Sequence, residues 1–380
     1  MGRGFFRKRA VGLLSVAAAG AMAGVLPAAA GTGAGGSFVG GLHTVAQVAS
    51  TIPANGDVNP YGVAIVPRSH GDLTAGDVLV SNFNNVPTTA APTGEQGRGT
   101  TIVEVSPGGQ QRLFATIPAN SVPGGVGLTT ALVALRSGWV IVGSLPTADG
   151  MSATMKPGEL FVLDAHGHVR EVIRGYGING PWDATALDLG PVADLFVSNV
   201  LNGITNGSPA TTTKGDVVRL TLSLTGSEPR VIASRVIANG ISVKTDPNAL
   251  IVGPTGVALS PSGTLFVADT VNSRIARIPN AVFRSDPVDA GAASATVLAG
   301  PPLNGELGLT LAPNGDLLTV NGGDNNLVEL TQGGKVVTVT SVDTMDAPGG
   351  ALFGLAATAY PRQVYFVNDD TNTLNVLRAP

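Results

Sequence analysis

One segment near the middle of the chain recurs in weaker form along most of its length. Residues 253–278 read GPTGVALSPSGTLFVADTVNSRIARI, which is a short strand, a glycine turn, a second strand, an Asp-x-x-Asn turn and a third strand. A unit of this size cannot bury its apolar face alone, so neighbouring copies must stack against one another. The repetition therefore limits the possible folds more than any single residue does.

Aligning the second strands identifies six copies of the unit. These strands are Val78–Asn82, Val140–Ser144, Leu195–Asn199, Leu265–Asp269, Leu317–Asn321 and Tyr365–Asn368. Each follows a short strand that starts at a Pro- or Gly-containing turn, and third and fourth strands come after it in most copies. Four antiparallel strands repeated six times predict an all-β fold, a six-bladed β-propeller. The predicted blades start near residues 59, 123, 179, 252, 303 and 349.

The two ends of the chain predict how the ring closes. The last copy has no fourth strand, whereas residues 51–55, TIPAN, repeat the TIPAN of 116–120 that ends the fourth strand of the first blade. We therefore expect residues 42–52 to supply the outer strand of the last blade. Such a closure would hide sheet edges that otherwise promote aggregation.

Residues 253–278 resemble the NHL repeat, and the fifth copy resembles it less closely. The resemblance implies a propeller of the secreted bacterial type, and it matches no specific enzyme subfamily. The NHL family includes peptide-amidating lyases, ligand-binding receptor domains and RNA-binding modules. Related six-bladed propellers include gluconolactonases, paraoxonases, strictosidine synthases and streptogramin lyases. Because one fold serves all these activities, the fold alone does not name the function.

The first thirty residues predict a secretory signal sequence. Four basic residues among the first nine precede an uncharged apolar stretch at 10–26, and Ala28–Ala30 offers small residues for cleavage. This order is typical of a signal peptide, with cleavage expected after Ala30. A retained membrane anchor is the weaker alternative, because the apolar stretch is at the short limit for spanning a bilayer. The predicted organisation is a signal peptide at 1–30, a glycine-rich linker at 31–37 and the propeller at 38–380.

Charge and cysteine content restrict the partners. Without the signal sequence the chain keeps 18 basic and 26 acidic residues, a net charge of −8, and it has no cysteine. An acidic, sparsely charged surface disfavours nucleic acid and anionic membranes. We expect a monomer that binds a small polar ligand, a glycan or an extracellular protein, without membrane insertion.

A glycine column in the first-strand turns contains one exception. Its members are Gly62, Gly127, Asp183, Gly256, Gly308 and Gly354. We expect Asp183 at the mouth of the central channel, with Trp182, Tyr61 and Phe353 around it as ligand-binding residues. A lone carboxylate among aromatic groups is where a raised pKa or a bound cation is expected. The alternative is an Asp that caps a local turn or pairs with a buried backbone amide.

A second column, at the ends of the second strands, contains oxygen-bearing side chains. Together with Asp183, the residues Asn82, Asn199 and Asp269 form the predicted metal site, with Ca²⁺ as the ion, since hard cations prefer oxygen ligands. The favoured alternative is that these side chains bond their own turns and that no cofactor is present. The first inner strand also lacks the Glu with which the calcium site of gluconolactonases normally begins.

Loop length and histidine placement complete the sequence evidence. The second-to-third-strand loops are long only in the first three blades, at 83–99, 145–158 and 200–215, and long ordered loops on a rigid scaffold commonly bind ligands. His166 and His168 lie in a predicted outer hairpin turn, and no histidine is placed as a catalytic base. The leading interpretation is a secreted ligand- or protein-binding module that acts through the loop-rich face around the channel. The alternative is a calcium-assisted hydrolase or lyase, lactonase-like, with its site at the channel mouth, and a purely structural spacer is a third possibility.

Overall fold

The computed structural model describes residues 36–343 and 349–380, which form six sheets in the order of the predicted repeats. The prediction of an all-β, six-bladed β-propeller is confirmed. Helix in these residues is limited to three short 3-10 turns, at Ser152–Thr154, Thr270–Asn272 and Ala293–Ala295. The predicted signal peptide, its cleavage site and residues 31–35 of the linker lie outside the described residues.

Each blade begins with its innermost strand. Blade 1 contains Val58–Ile65, Val78–Asn84, Thr101–Val105 and Gln111–Thr116. Blade 2 contains Leu128–Ala134, Val140–Ser144, Glu159–Leu163 and Val169–Ile173. Blade 4 contains Pro254–Leu259, Leu265–Asp269, Arg274–Ile278 and Thr296–Ala299. Blade 5 contains Glu306–Leu311, Leu317–Asn321, Asn326–Leu330 and Val336–Ser341.

Blade 3 departs from the predicted four strands. It contains Pro181–Asp188, Val192–Asn199, Thr211–Ser223, Arg230–Asp246 and Leu250–Val252, and Val288–Asp289 pairs with it in parallel. Its third and fourth strands have 13 and 17 residues and pair along most of that length. The sequence pattern identified the second strand of this blade at Leu195–Asn199 but not the additional strand length, which lies beyond the repeating unit.

Blade 6 draws its strands from both ends of the chain. It contains Leu352–Thr358, Gln363–Asn368, Thr373–Arg378 and, outermost, Thr44–Ser50. Thr44 pairs with Arg378 and Ser50 with Thr373 in antiparallel register. The edge of the third strand is thereby covered, which removes a site for edge-to-edge association.

The segment before this outer strand is also anchored. The Glu329 carboxylate accepts hydrogen bonds from the Ser37 hydroxyl and from the backbone N–H groups of Phe38 and Val39. Phe38, Val39 and Leu42 are buried among side chains of blades 5 and 6. Residue 37, expected in the linker, therefore contacts the propeller.

Neighbouring inner strands approach one another very closely at the glycine column. A Cβ on Gly256 would lie 2.3 Å from the Leu309 nitrogen, and one on Gly308 would lie 2.2 Å from the Phe353 carbonyl oxygen. These distances are too short for any side-chain atom, so Gly256 and Gly308 have no room for a side chain. Contacts of the same kind link Gly354 to the inner strand of blade 1 and Gly62 to that of blade 2.

The structure corrects one member of the predicted column. Leu132 of blade 2 pairs with Val142, just as Val257 of blade 4 pairs with Val267. The residue equivalent to Gly256 in blade 2 is therefore Ala131. Gly127 belongs to the turn before this strand, because the register of blade 2 shifts between Leu128 and Leu132.

A side chain at the glycine column should destabilise the ring. We expect Gly256→Ala to lower the free energy of unfolding by about 1 to 3 kcal/mol, the usual effect of overpacking. Gly226→Ala is the control, because the nearest atom to a Cβ there is the Glu228 oxygen at 3.4 Å. Denaturant unfolding of both variants measures the difference, and equal midpoints would contradict the proposed close approach.

Removing residues 38–52 should expose the third strand of blade 6. We expect the truncated chain to aggregate, because unpaired strand edges template association. Size-exclusion chromatography with light scattering measures the outcome. A soluble monomer with unchanged stability would show that the outer strand is dispensable.

Candidate functional site

The predicted aromatic residues meet at the loop-rich end of the channel. The rings of Tyr61 and Phe353 stack with centroids 3.9 Å apart, and Trp182 lies 5.8 Å from Tyr61. Phe83 stacks on Tyr61 at 4.4 Å. All four side chains are at most 3% exposed. They form an aromatic plug, in which the rings contact one another rather than solvent.

Apolar side chains from the long loops cover the aromatic plug. Leu145 and Met155 from blade 2, together with Leu201 and Ile204 from blade 3, belong to the same buried cluster. The Leu250–Val252 strand of blade 3 packs there as well. A ligand on this face therefore meets the loops before it meets Tyr61 or Trp182, whereas Phe353 lines a cavity of about 290 Å³ on the side of blades 4 to 6.

Asp183 lies below the aromatic plug, inside the channel. It lines a cavity of about 280 Å³ that also includes Ile65, Leu135 and Asp188. These residues lie at or beyond the far ends of their inner strands, so the cavity opens toward the first-to-second-strand loops. The sequence placed Asp183 at the loop-rich mouth, and its carboxylate instead faces the opposite end of the channel.

Hydrogen bonds from two blades hold the Asp183 carboxylate. One oxygen accepts from the Ala184 N–H at 2.8 Å, and the other accepts from the Val257 N–H at 3.0 Å. These contacts match the alternative interpretation, an Asp paired with buried backbone amides. Burial raises the pKa of Asp183 to about 7, although both N–H groups favour the ionised form. A carboxyl group of this pKa can exchange a proton near neutral pH.

The other predicted metal ligands bond within or beside their own blades. Asn82 donates to the Thr51 carbonyl oxygen and the Thr101 hydroxyl, and Asn199 donates to the Gly177 carbonyl oxygen and Asp216. Asp269 accepts hydrogen bonds from Asn272 and forms a buried ion pair with Arg274 at 2.6 Å. These contacts direct the three side chains to separate partners, and none of those partners is Asp183.

Carboxylates and histidines do not gather into a metal-binding group within residues 36–343 and 349–380. On the exposed surface, His166 Nδ1 lies 3.0 Å from a carboxylate oxygen of Asp72. His168 Nδ1 lies 3.5 Å from a carboxylate oxygen of Asp164. Both histidines are in an outer hairpin turn, between Glu159–Leu163 and Val169–Ile173.

Hydrogen bonds join the long loops of blades 1 and 2 to each other and to the 246–250 hairpin of blade 3. The Thr147 hydroxyl donates to the Gln96 carbonyl oxygen at 2.5 Å, and Arg98 donates to the Ala148 carbonyl oxygen at 2.5 Å. Gln96 and Ser152 in turn donate to carbonyl oxygens of the blade 3 hairpin, at Pro247 and Leu250. The loops thus form one cross-linked surface, here called the loop wall.

Sequence reasoning missed a polar cavity between blades 1 and 6. The cavity measures about 240 Å³, and it opens beside the loop of blade 1. Its lining residues are Val58, Asn59, Asn84, Pro87, Pro92, Thr93, Asp369, Asp370 and Asn372. Burial, followed by the charge of Asp370, raises the pKa of Asp369 to about 7. The only sequence signal was Asp369-Asp370, where the fourth copy of the repeat has Thr270-Val271.

A sequence comparison identifies the repeat. The family model described as the NHL repeat matches residues 252–278, which span the first three strands of blade 4. This segment of blade 4 is therefore similar to an NHL repeat. No curated protein is detectably similar to the chain in sequence. In the part of the chain that the structure describes, no helix has the length and apolar character needed to cross a membrane.

Solved structures share the fold of this propeller at low sequence identity. A gluconolactonase from Xanthomonas campestris matches with a TM-score of 0.54 and 13% identity, over 88% of this chain and 89% of that one. A luciferin-regenerating enzyme matches with a TM-score of 0.54 and 10% identity, over 88% and 95%. The PQQ-bound aldose sugar dehydrogenase of Streptomyces coelicolor matches with a TM-score of 0.51 and 15% identity, over 88% and 98%. At these identities the similarity establishes the fold alone.

The Asp183 carboxyl should make stability depend on pH. Its pKa in the folded protein, about 7, lies above its ordinary value of 3.8. Its contribution to stability is therefore complete below pH 4 and is lost as the pH rises through 7. The Asn side chain of Asp183→Asn resembles the neutral acid. We therefore expect the free energy of unfolding of this variant to rise relative to that of the natural protein between pH 5 and 8, by up to about 4 kcal/mol. Denaturant unfolding at each pH measures the gain, and a difference independent of pH would contradict the buried carboxyl.

Proposed function

We propose that the protein is an exported binding module that holds a neutral polar ligand on its loop-rich face. The observation that carries the proposal is the loop wall, in which the long loops of blades 1 and 2 are hydrogen bonded to each other and to the 246–250 hairpin of blade 3. Ordering loops before binding removes an entropic penalty that mobile loops would incur. A pure spacer has no need of such cross-linking.

The composition of the loop wall indicates the class of ligand. Residues 83–99, 145–158 and 200–215 are rich in Thr, Asn, Gly and Pro and contain few charges. Hydroxyl and amide side chains exchange hydrogen bonds with neutral polar groups. A glycan therefore fits this surface better than an anionic ligand, and an extracellular protein with a neutral polar surface is the other candidate.

A matched pair of substitutions tests the loop wall. Met151 is 61% exposed in the loop of blade 2, and Leu189 is 58% exposed in the first-to-second-strand turn of blade 3, on the opposite face. We expect Met151→Asp to weaken binding to a glycan array at least tenfold, because it introduces a charge that the ligand does not compensate. Leu189→Asp should bind like the natural protein. Equal binding by both variants, or no glycan bound above background, would contradict the proposal.

The second candidate function is a calcium-assisted hydrolase or lyase. Asp183 favours it, because a carboxyl group with a pKa near 7 beside a cavity suits general acid–base catalysis. The gluconolactonase that shares the fold shows that such a scaffold hosts lactone hydrolysis. A lactone and ester screen with calcium or with chelator tests this function. Turnover that requires Asp183 would favour the enzyme over the binding module.

A further inference from the structure

We propose that the polar cavity between blades 1 and 6 binds a divalent cation, and that calcium is the ion its oxygen atoms fit best. The site borders the loop wall, because both include residues of the blade 1 loop, and it is distinct from the Asp183 channel. Calcium binding and glycan binding are measured separately, so failure of one proposal does not decide the other. Its residues come from the first inner strand, the loop that follows the second strand of blade 1, and the last hairpin of the chain.

Two buried amide oxygens in the cavity have no hydrogen-bond partner. They are the Oδ1 atoms of Asn59 and Asn84, whose residues are 8% and 2% exposed. A buried oxygen without a donor is destabilising by about 1 to 3 kcal/mol, so native proteins nearly always satisfy such atoms. Two such oxygens in one cavity are suited to bind one electropositive ligand.

Hydrogen bonds hold the backbone of Asn59 and the amide group of Asn84 in place. Asn59 has a left-handed φ of 61°, a conformation that Asn tolerates, and its N–H donates to Asn372 Oδ1 at 2.7 Å. The Nδ2 group of Asn84 donates to the Thr93 carbonyl oxygen at 2.9 Å. That bond occupies the nitrogen of the amide, which leaves Oδ1 of Asn84 for a ligand.

Negative charge accompanies these neutral oxygens. Asp369 contributes a third oxygen, Oδ1, that has no hydrogen-bond partner, and Asp370 also lines the cavity. The lining, which lies entirely within the described residues, contains no lysine, arginine or histidine. A cavity lined by carboxylates attracts cations. Most of the oxygens that lack a partner here belong to amides rather than to carboxylates.

The donor set distinguishes between metals. Calcium takes six to eight oxygen ligands in flexible geometry and accepts carboxylates, amide carbonyls and water. Zinc prefers nitrogen and sulfur ligands, which this cavity lacks. A cavity of about 240 Å³ has room for the ion and several waters. With few carboxylates the affinity should be weak, with a Kd of about 10⁻⁴ to 10⁻³ M, as in extracellular modules.

Calcium titration of the protein without its signal peptide tests the proposal. Isothermal titration calorimetry should give one site in this affinity range, and thermal melting in 10 mM calcium should exceed melting in chelator by a few degrees. We expect Asp369→Asn to weaken binding at least tenfold. Asn59→Asp should strengthen it by about the same factor, because it adds a negative charge while the backbone N–H bond to Asn372 remains.

Two further variants assign the result to this cavity. Asp286→Asn, which alters an exposed carboxylate, is the matched control and should bind calcium like the natural protein. Loss of binding in Asp183→Asn with retention in Asp369→Asn would place the ion in the channel and overturn the proposal. An absence of calcium binding by the natural protein would overturn it as well. If Asp369→Asn does not fold, Asn59→Asp still tests the proposal. Its calcium affinity should rise, and an unchanged affinity would contradict the site.

Discussion

The close approach of neighbouring inner strands around the channel is the constraint on which the rest of the structure depends. At Gly256, Gly308 and Gly354 the backbone of the next blade occupies the space that a side chain would need. At these three positions the convergence of the inner strands leaves no room for a side chain, whereas the equivalent residues of blades 2 and 3, Ala131 and Asp183, carry one. The rings of Tyr61, Trp182 and Phe353 meet around the same axis.

Asp183 occupies this column in blade 3. Its carboxylate connects two neighbouring blades, as the close backbone contact does at the glycines. It links blade 3 to blade 4 by accepting the Val257 N–H. The price is a buried carboxyl group whose charged form is disfavoured, which is why its pKa rises to about 7. Structural bridging and proton exchange are both available to such a group. The binding and enzymatic hypotheses differ on which of the two matters.

The two halves of the loop-rich face have different physical characters. Long loops of blades 1 to 3 bury apolar residues over the aromatic plug, and those of blades 1 and 2 bond to each other, whereas the tight turns of blades 4 to 6 leave depressions. The sequence predicted the loops and the residues of the plug from repeat position and length. It did not predict that Asn59, Asn84 and Asp369 share a cavity. Each of these residues is of a type common in turns. The sequence around it does not show whether its side-chain oxygen has a hydrogen-bond donor.

By itself, the amino-acid sequence determined the number of blades, the all-β architecture and the column where side chains are excluded. It could do so because strand periodicity and turn residues act over a few neighbouring positions and recur in each copy. Only the tertiary structure decided that the aromatic rings are buried and that Asp183 faces the far end of the channel. It also decided that three oxygens without a hydrogen-bond partner line one cavity between blades 1 and 6. These features depend on contacts between blades, and Asn59 and Asp369 become neighbours only when the ring brings the two ends of the chain together.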